Sequence, residues 1–160
     1  MESVMAEVIR YLAGDGKYAE EFAGRMRRLL DIAATCNNVF DLRAPFYHEM
    51  LVTFPPWKPV FALEMVPAAL TLCVIARGDA EQAIIGAANL GRDADTIASM
   101  AGQLCGTLHG ASTLPPSWME KVLRANPEPD LEQVAEQLCQ VLLAQATTRE
   151  QLARDVLALG

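Results

Sequence analysis

The sequence predicts an all-α domain of about seven helices, on three observations. Apolar residues recur at three- and four-residue spacing along most of the chain. Helix stops and caps fall between those runs, as at Gly78-Asp79 and at Asn126-Pro-Glu-Pro129 followed by Asp130. No segment shows the alternation that a strand would need. The 160 residues suit a single domain, 1–160, with a core of respectable size.

Taken in order, Val4, Val8, Tyr11 and Leu12 have helical spacing, and Gly14-Asp15-Gly16 ends that first helix. A second is predicted from about Lys17 to Cys36. Phe22, Met26, Leu29, Leu30 and Ala33 line one side of it, and Glu20, Arg27, Arg28 and Asp31 the solvated other. Asn37-Asn38 is expected to close it, because Asn tolerates the left-handed backbone found just past helix ends. From Val39 to Pro59 the periodicity breaks into an aromatic, proline-punctuated connection holding Phe40, Phe46, Tyr47, Phe54 and Trp57, with one short helix near Asp41–Met50. Such a connection is either a groove edge over a ligand or a loop pinned to the core by its own aromatics; the second is the commoner case.

The most apolar segment, Val60 to Ala76, is too short for the ~20 residues that cross a bilayer. It reads as a buried core helix reaching about Arg77, with Pro67 kinking it or marking its first turn. Glu64 lies within this run. A buried carboxylate has a raised pKa and can serve as an acid, but more often it points at a loop or a helix N-terminus. Gly78 then stops one helix and Asp79 caps the next, Ala80 to about Leu90. Beyond Gly110, Leu114-Pro115-Pro116-Ser117-Trp118 leads into a short helix ending at Ala125. Asp130 caps a last long helix through Leu131, Val134, Leu138, Val141 and Leu142. Thr147-Thr148 can break that run, Thr148 capping a final turn or two to Leu159.

Composition narrows the function classes. Hydrophobic residues make up 52% and charged residues 21%, as in ordinary globular domains. A formal charge of −7 argues against a phosphate-backbone binder, so no nucleic-acid partner is expected. Cys36, Cys73, Cys105 and Cys139 are far apart, which indicates neither a zinc site nor a disulfide framework and makes a reduced, cytoplasmic setting the default. The N-terminus lacks the basic and apolar regions of a secretory signal, and no membrane partner is expected.

The stretch that reads as a site is Asn89 to Gly110. Asp93, Asp95 and Thr96 fall within four positions at a loop–helix junction. Behind them Ala94, Ala98, Gly102, Gly106 and Gly110 form a row of small residues, while Ile97, Met100, Leu104 and Leu108 form a bulky apolar face. A helix apolar nearly all round is expected in the middle of a protein. Helix capping accounts for Asp and Thr at such a junction. The competing reading is a hard oxygen set for Mg²⁺, Mn²⁺ or Ca²⁺, two anionic side chains outweighing the helix's partial positive charge of ~0.5. Three ligands fall short of the roughly six that Mg²⁺ takes. The spacing excludes an EF-hand.

Four elements in order, Gly78-Asp79, then Asn89-Leu-Gly-Arg-Asp93-Ala-Asp95-Thr96, then the small-residue helix Ala101-Gly-Gln-Leu-Cys-Gly106, then Pro115-Pro-Ser-Trp118, resemble the carboxy-terminal signature of the ADP-ribosylglycohydrolase family. The likeness is clearest from Val60 to Trp118. It implies an all-α fold holding a pair of Mg²⁺ or Mn²⁺ ions, and hydrolysis of the bond joining ADP-ribose to a protein side chain or a small acceptor. By motif, Asp93, Asp95 and Thr96 would be metal ligands, with Asp95 touching both ions. Family members typically place a Thr/Ser-Asp-Asp run and a catalytic carboxylate in the amino-terminal half. This chain has neither, so it resembles the carboxy-terminal portion of a larger domain with half of a dinuclear site and no catalytic residue of its own. Arg92 stands where Gly is frequent and is a candidate for binding a substrate phosphate; Leu108-His109 stands where an aromatic pair is common. His109, near a helix end, is more often a cap or a partly exposed residue than a ligand. The partners implied are an ADP-ribosylated protein or small ADP-ribosyl compound, together with a second copy or a missing amino-terminal half that covers exposed apolar surface. The alternative is a non-catalytic helical module that binds a ligand or partner.

Overall fold

Apolar residues that recur on one helical face need partners, and here the partners are mostly other helices. The computed structural model describes residues 2–12, 17–53, 62–127 and 130–157. Within them lie eight α-helices and no strand: α1 (Glu2–Leu12), α2 (Lys17–Ala33), α3 (Arg43–Thr53), α4 (Ala62–Ile75), α5 (Ala80–Leu90), α6 (Ala94–His109), α7 (Pro116–Ala125) and α8 (Leu131–Leu157). Short 3-10 turns occupy Val39–Leu42 and Ala111–Thr113. Gly14-Asp15-Gly16, Phe54 to Pro59, Pro129 and the residues after Leu157 lie outside the described residues. Among the described residues no helix is long and apolar enough to cross a membrane. The chain divides into two compact units, Met1–Pro116 and Ser117–Gly160.

The first unit is built on α4, α5 and α6, which pack on one another, with α2 and the 3-10 turn closing the core. Leu29 of α2, Val39 and Leu42 of the turn, Phe46 of α3, Leu72 and Cys73 of α4, Ala83 and Leu90 of α5, and Ile97, Ala101 and Cys105 of α6 are all buried in one cluster. Met26 and Leu70 form a second, with Phe22 and Leu30 beside them. The side of α2 expected to be solvated is exposed at Glu20, Arg27, Arg28 and Asp31. Arg25 is the exception, a cation buried to 1% exposure whose Nη2 donates to Glu21 Oε1 at 2.7 Å. Fully burying a Leu- or Phe-sized side chain contributes roughly 1.5–3 kcal/mol, so this cluster is where the unit's stability lies.

Several expectations change. Helix α2 stops at Ala33, and Asn38 does not close it in a left-handed conformation. Asn38 is extended (φ −151) and opens the 3-10 turn as a capping box: its side chain accepts from the Phe40 N–H, and the Asp41 carboxylate accepts from the Asn38 N–H. Asp three residues after Asn is the sequence sign of that motif in the next element. The short helix expected near Asp41–Met50 is present as α3, with its bounds two or three residues later, at Arg43–Thr53. Its Phe46 is fully buried, so the aromatic segment is pinned to the core at that point. Pro67 lies within α4, which begins at Ala62, so it does not mark the helix's first turn. The stop and cap at Gly78-Asp79 stand as read: Gly78 has φ +83, and Asp79 accepts from the Gln82 N–H at 2.9 Å.

In the second unit, Asp130 caps α8 by accepting from the Gln133 N–H at 3.0 Å. Helix α8 does not break at Thr147-Thr148. The Thr147 and Thr148 hydroxyls donate to the carbonyls of Leu143 and Ala144, at 3.0 and 2.9 Å, and this back-bonding lets threonine remain inside a helix instead of capping a new one.

Candidate metal centre

The loop between α5 and α6 is shaped by two consecutive residues with positive φ, Gly91 (+90) and Arg92 (+57). They reverse the chain and deliver Asp93 to the N-cap position of α6, with Asp95 and Thr96 in its first turn. Asp93 occupies that position without capping by its side chain: no backbone N–H bonds to its carboxylate. Instead the Thr96 hydroxyl donates to Asp93 Oδ1 at 3.0 Å. The capping explanation therefore fails for Asp93, whose carboxylate faces Thr96.

Asp95 is exposed and interacts with the Asp93 side chain. That contact, with the backbone N–H groups of Thr96 and Asp95 itself, holds the Asp95 carboxyl below its ordinary range. Two neighbouring carboxylates beside a hydroxyl make an all-oxygen donor set, which suits hard divalent ions such as Mg²⁺ or Mn²⁺. The three sequence-predicted donors are thus brought together, and they fit such an ion in chemistry though not in number. Among the described residues no group of three or more His, Cys, Asp or Glu is placed to hold a metal.

The loop is clamped from beneath by residues whose role the sequence did not reveal. Glu64 of α4 is 1% exposed and pairs with Arg92 at two points: Nε donates to Oε1, and Nη2 to Oε2 at 2.9 Å. Glu64 therefore points at a loop, the commoner of the two roles open to it. The Arg92 guanidinium is given to that carboxylate, which raises its pKa further above the usual arginine value. Tyr47 of α3 closes the other side, for a Cβ on Gly91 would collide with its hydroxyl oxygen. The signal for the pair was present in the sequence: a carboxylate inside an apolar helix needs a cation, and one followed 28 residues later. Nothing marked Tyr47.

Helix α6 is less enclosed than its composition suggested. Ile97, Ala101 and Cys105 are its buried row, while Leu108 is exposed. The small-residue row is only partly used, because a Cβ on Gly102 would touch Ile84 at 3.1 Å but one on Gly106 would meet nothing within 4 Å. Burial follows the face turned to α4 and α5, not overall apolarity. His109, at the helix end, is exposed and rests on the α4–α5 turn, its Nε2 2.6 Å from where a Cβ on Gly78 would stand.

Known proteins resemble parts of this chain. A curated ADP-ribosylarginine hydrolase Tri1 of Pseudomonas putida (strain GB-1) is 60% identical over 40 residues, which are 25% of this chain and 11% of that protein. The uncharacterized protein YegU of Escherichia coli (strain K12) is 42% identical over 55 residues, 34% of this chain and 16% of that protein. A second Tri1, of Serratia proteamaculans (strain 568), is 43% identical over 56 residues, 35% and 14% of the two lengths. The matched segments are thus a small part of each relative. No solved structure matches the chain. The family model described as ADP-ribosylglycohydrolase matches residues 1–151, nearly the whole sequence, and on that extent the chain belongs to the ADP-ribosylglycohydrolase family.

Proposed function

We propose that this chain supplies one half of a divalent-metal centre for hydrolysis of an ADP-ribosyl glycosidic bond, with Asp93, Asp95 and Thr96 as its ligands. The observation that supports this most directly is the Thr96 hydroxyl on the Asp93 carboxylate, with Asp95 in the same first turn of α6. An all-oxygen donor set of this kind suits a hard divalent cation. When bound, Mg²⁺ or Mn²⁺ acts as a Lewis acid and orients and activates oxygen groups. The chain's own part is to hold two anionic oxygens and a hydroxyl at a fixed spacing and to leave the remaining coordination positions to other donors. The names of two relatives suggest an arginine-linked ADP-ribose as the substrate. The missing donors and the catalytic acid would come from an amino-terminal half or another chain.

Titration of Mn²⁺ into the wild type and Asp95→Asn, with ADP-ribose present, tests the metal assignment. Binding by the wild type and at least tenfold weaker binding by the variant is the expected result. Equal and negligible binding by both removes it.

A second reading, a non-catalytic helical module, is favoured by the small number of donors that the described residues bring together. An assay on ADP-ribosylated arginine peptides separates the two. Metal-dependent turnover that requires this chain together with an amino-terminal half, and is lost with Asp95→Asn, excludes the non-catalytic module.

A further inference from the structure

A left-handed backbone is easy for Gly91 and costly for Arg92 (φ +57), and such a conformation persists only where the surroundings over-determine it. Here they do so from two helices. Glu64 grips the guanidinium at two points from α4, and the Tyr47 hydroxyl abuts Gly91 from α3. The pair has an electrostatic consequence as well. Arg92 is covalently next to Asp93, and a guanidinium fork matches carboxylate geometry better than any other side chain. Released from Glu64, it would be one residue from Asp93 and three from Asp95, where it would compete with any cation. Glu64 is almost completely buried and offers the fork a dry, fully matched alternative.

We infer that Glu64 is a positioning residue for the Asp93–Asp95 carboxylates: it acts through Arg92, fixing residues 91 and 92 in their left-handed form and keeping the guanidinium off the two aspartates. This rests on the proposal that those aspartates take a divalent ion. It concerns a feature peculiar to this loop, since a glycine at position 92 would need no such anchor. Arg92, the candidate for a substrate phosphate, is here paired with Glu64.

The test uses the full 160-residue chain as wild type, Glu64→Gln, the double variant Glu64→Gln/Arg92→Gly, and Arg92→Lys. Two readouts are taken: amide hydrogen exchange across residues 91–97 without metal, and Mn²⁺ affinity by electron paramagnetic resonance. Glu64→Gln is expected to speed exchange at 91–95 selectively, leaving the buried amides of α5 such as Ala83 and Ala87 unchanged, and to weaken Mn²⁺ binding by roughly tenfold. Removing the guanidinium as well, in the double variant, is expected to return Mn²⁺ affinity to near the wild-type value, because glycine accepts positive φ and no cation is left to compete. A merely structural Glu64 gives the opposite pattern, with exchange accelerated throughout α4–α6 and no rescue, and that overturns the inference. Should Glu64→Gln fail to fold, Arg92→Lys decides. It keeps the charge pair but loses the fork, so faster loop exchange supports the inference and unchanged loop exchange overturns it. If the wild type binds no Mn²⁺, the metal assignment falls by itself, and the exchange pattern still decides whether Glu64 sets the loop.

Discussion

Gly86 and Gly106 show how little a residue's identity says without its neighbours. Both lie within helices of small and apolar residues. A Cβ on Gly86 would lie 2.6 Å from the Val39 Cβ and 3.0 Å from Leu72 Cδ2, whereas one on Gly106 would meet open space. Gly86→Ala is therefore expected to destabilise the chain by about 1–3 kcal/mol through overpacking. Gly106→Ala should stabilise it by about 0.4–1 kcal/mol, because alanine has less backbone entropy to lose on folding. Urea unfolding monitored by circular dichroism measures both, and two effects of the same sign would contradict the packing described. The cysteines differ in the same way. Hydrogen bonding with Cys105, together with burial, pushes the Cys73 thiol well above its ordinary range, while Cys139 is exposed. A thiol reagent at neutral pH should label Cys139 quickly and Cys73 only in denaturant, since the thiolate is the reactive form. Rapid labelling of Cys73 in the native protein would show that the core opens there.

Helix boundaries proved legible wherever one local contact decides them. Gly78-Asp79 is such a place, and Asp79→Ala should cost about 1 kcal/mol by removing the cap on Gln82, again measurable by urea unfolding. Asn37-Asn38 and Thr147-Thr148 depart from expectation because their side chains have two local options. Asn can end one helix or open the next element, and Asp41 settled the matter for the second. Threonine can cap or can back-bond to the preceding turn, and in α8 it back-bonds. Replacing Thr147 and Thr148 together by alanine should therefore leave the far-ultraviolet helix signal equal or slightly larger, alanine being the better helix former. A clear loss of helix would mean that the threonines define a boundary after all.

At the scale of the molecule, the two units differ in how their apolar residues are used. The first buries Phe46, Leu72, Leu90 and Ile97 completely. The second leaves Val134, Leu138, Val141 and Leu142 exposed along one stripe of α8. A contiguous exposed stripe favours association, so sedimentation at micromolar concentration should give a mass above that of the monomer, and Leu138→Glu with Val141→Glu should lower it. A wild type that sediments as a clean monomer would count against this.

The sequence by itself determined the all-helical class, the order of the helices and the placing of Asp93, Asp95 and Thr96 at one helix start, because periodicity, caps and a four-residue spacing are local properties of the chain. Only the tertiary structure decided that α6 buries one row of its residues instead of its whole surface, that Glu64 serves Arg92, and that Tyr47 seals Gly91. Those facts join residues from separate helices, and the pairing of a buried charge with its partner depends on which faces meet. The aspartates could be read from the chain; the clamp on the loop before them exists only once α3 and α4 pack against the α5–α6 connection.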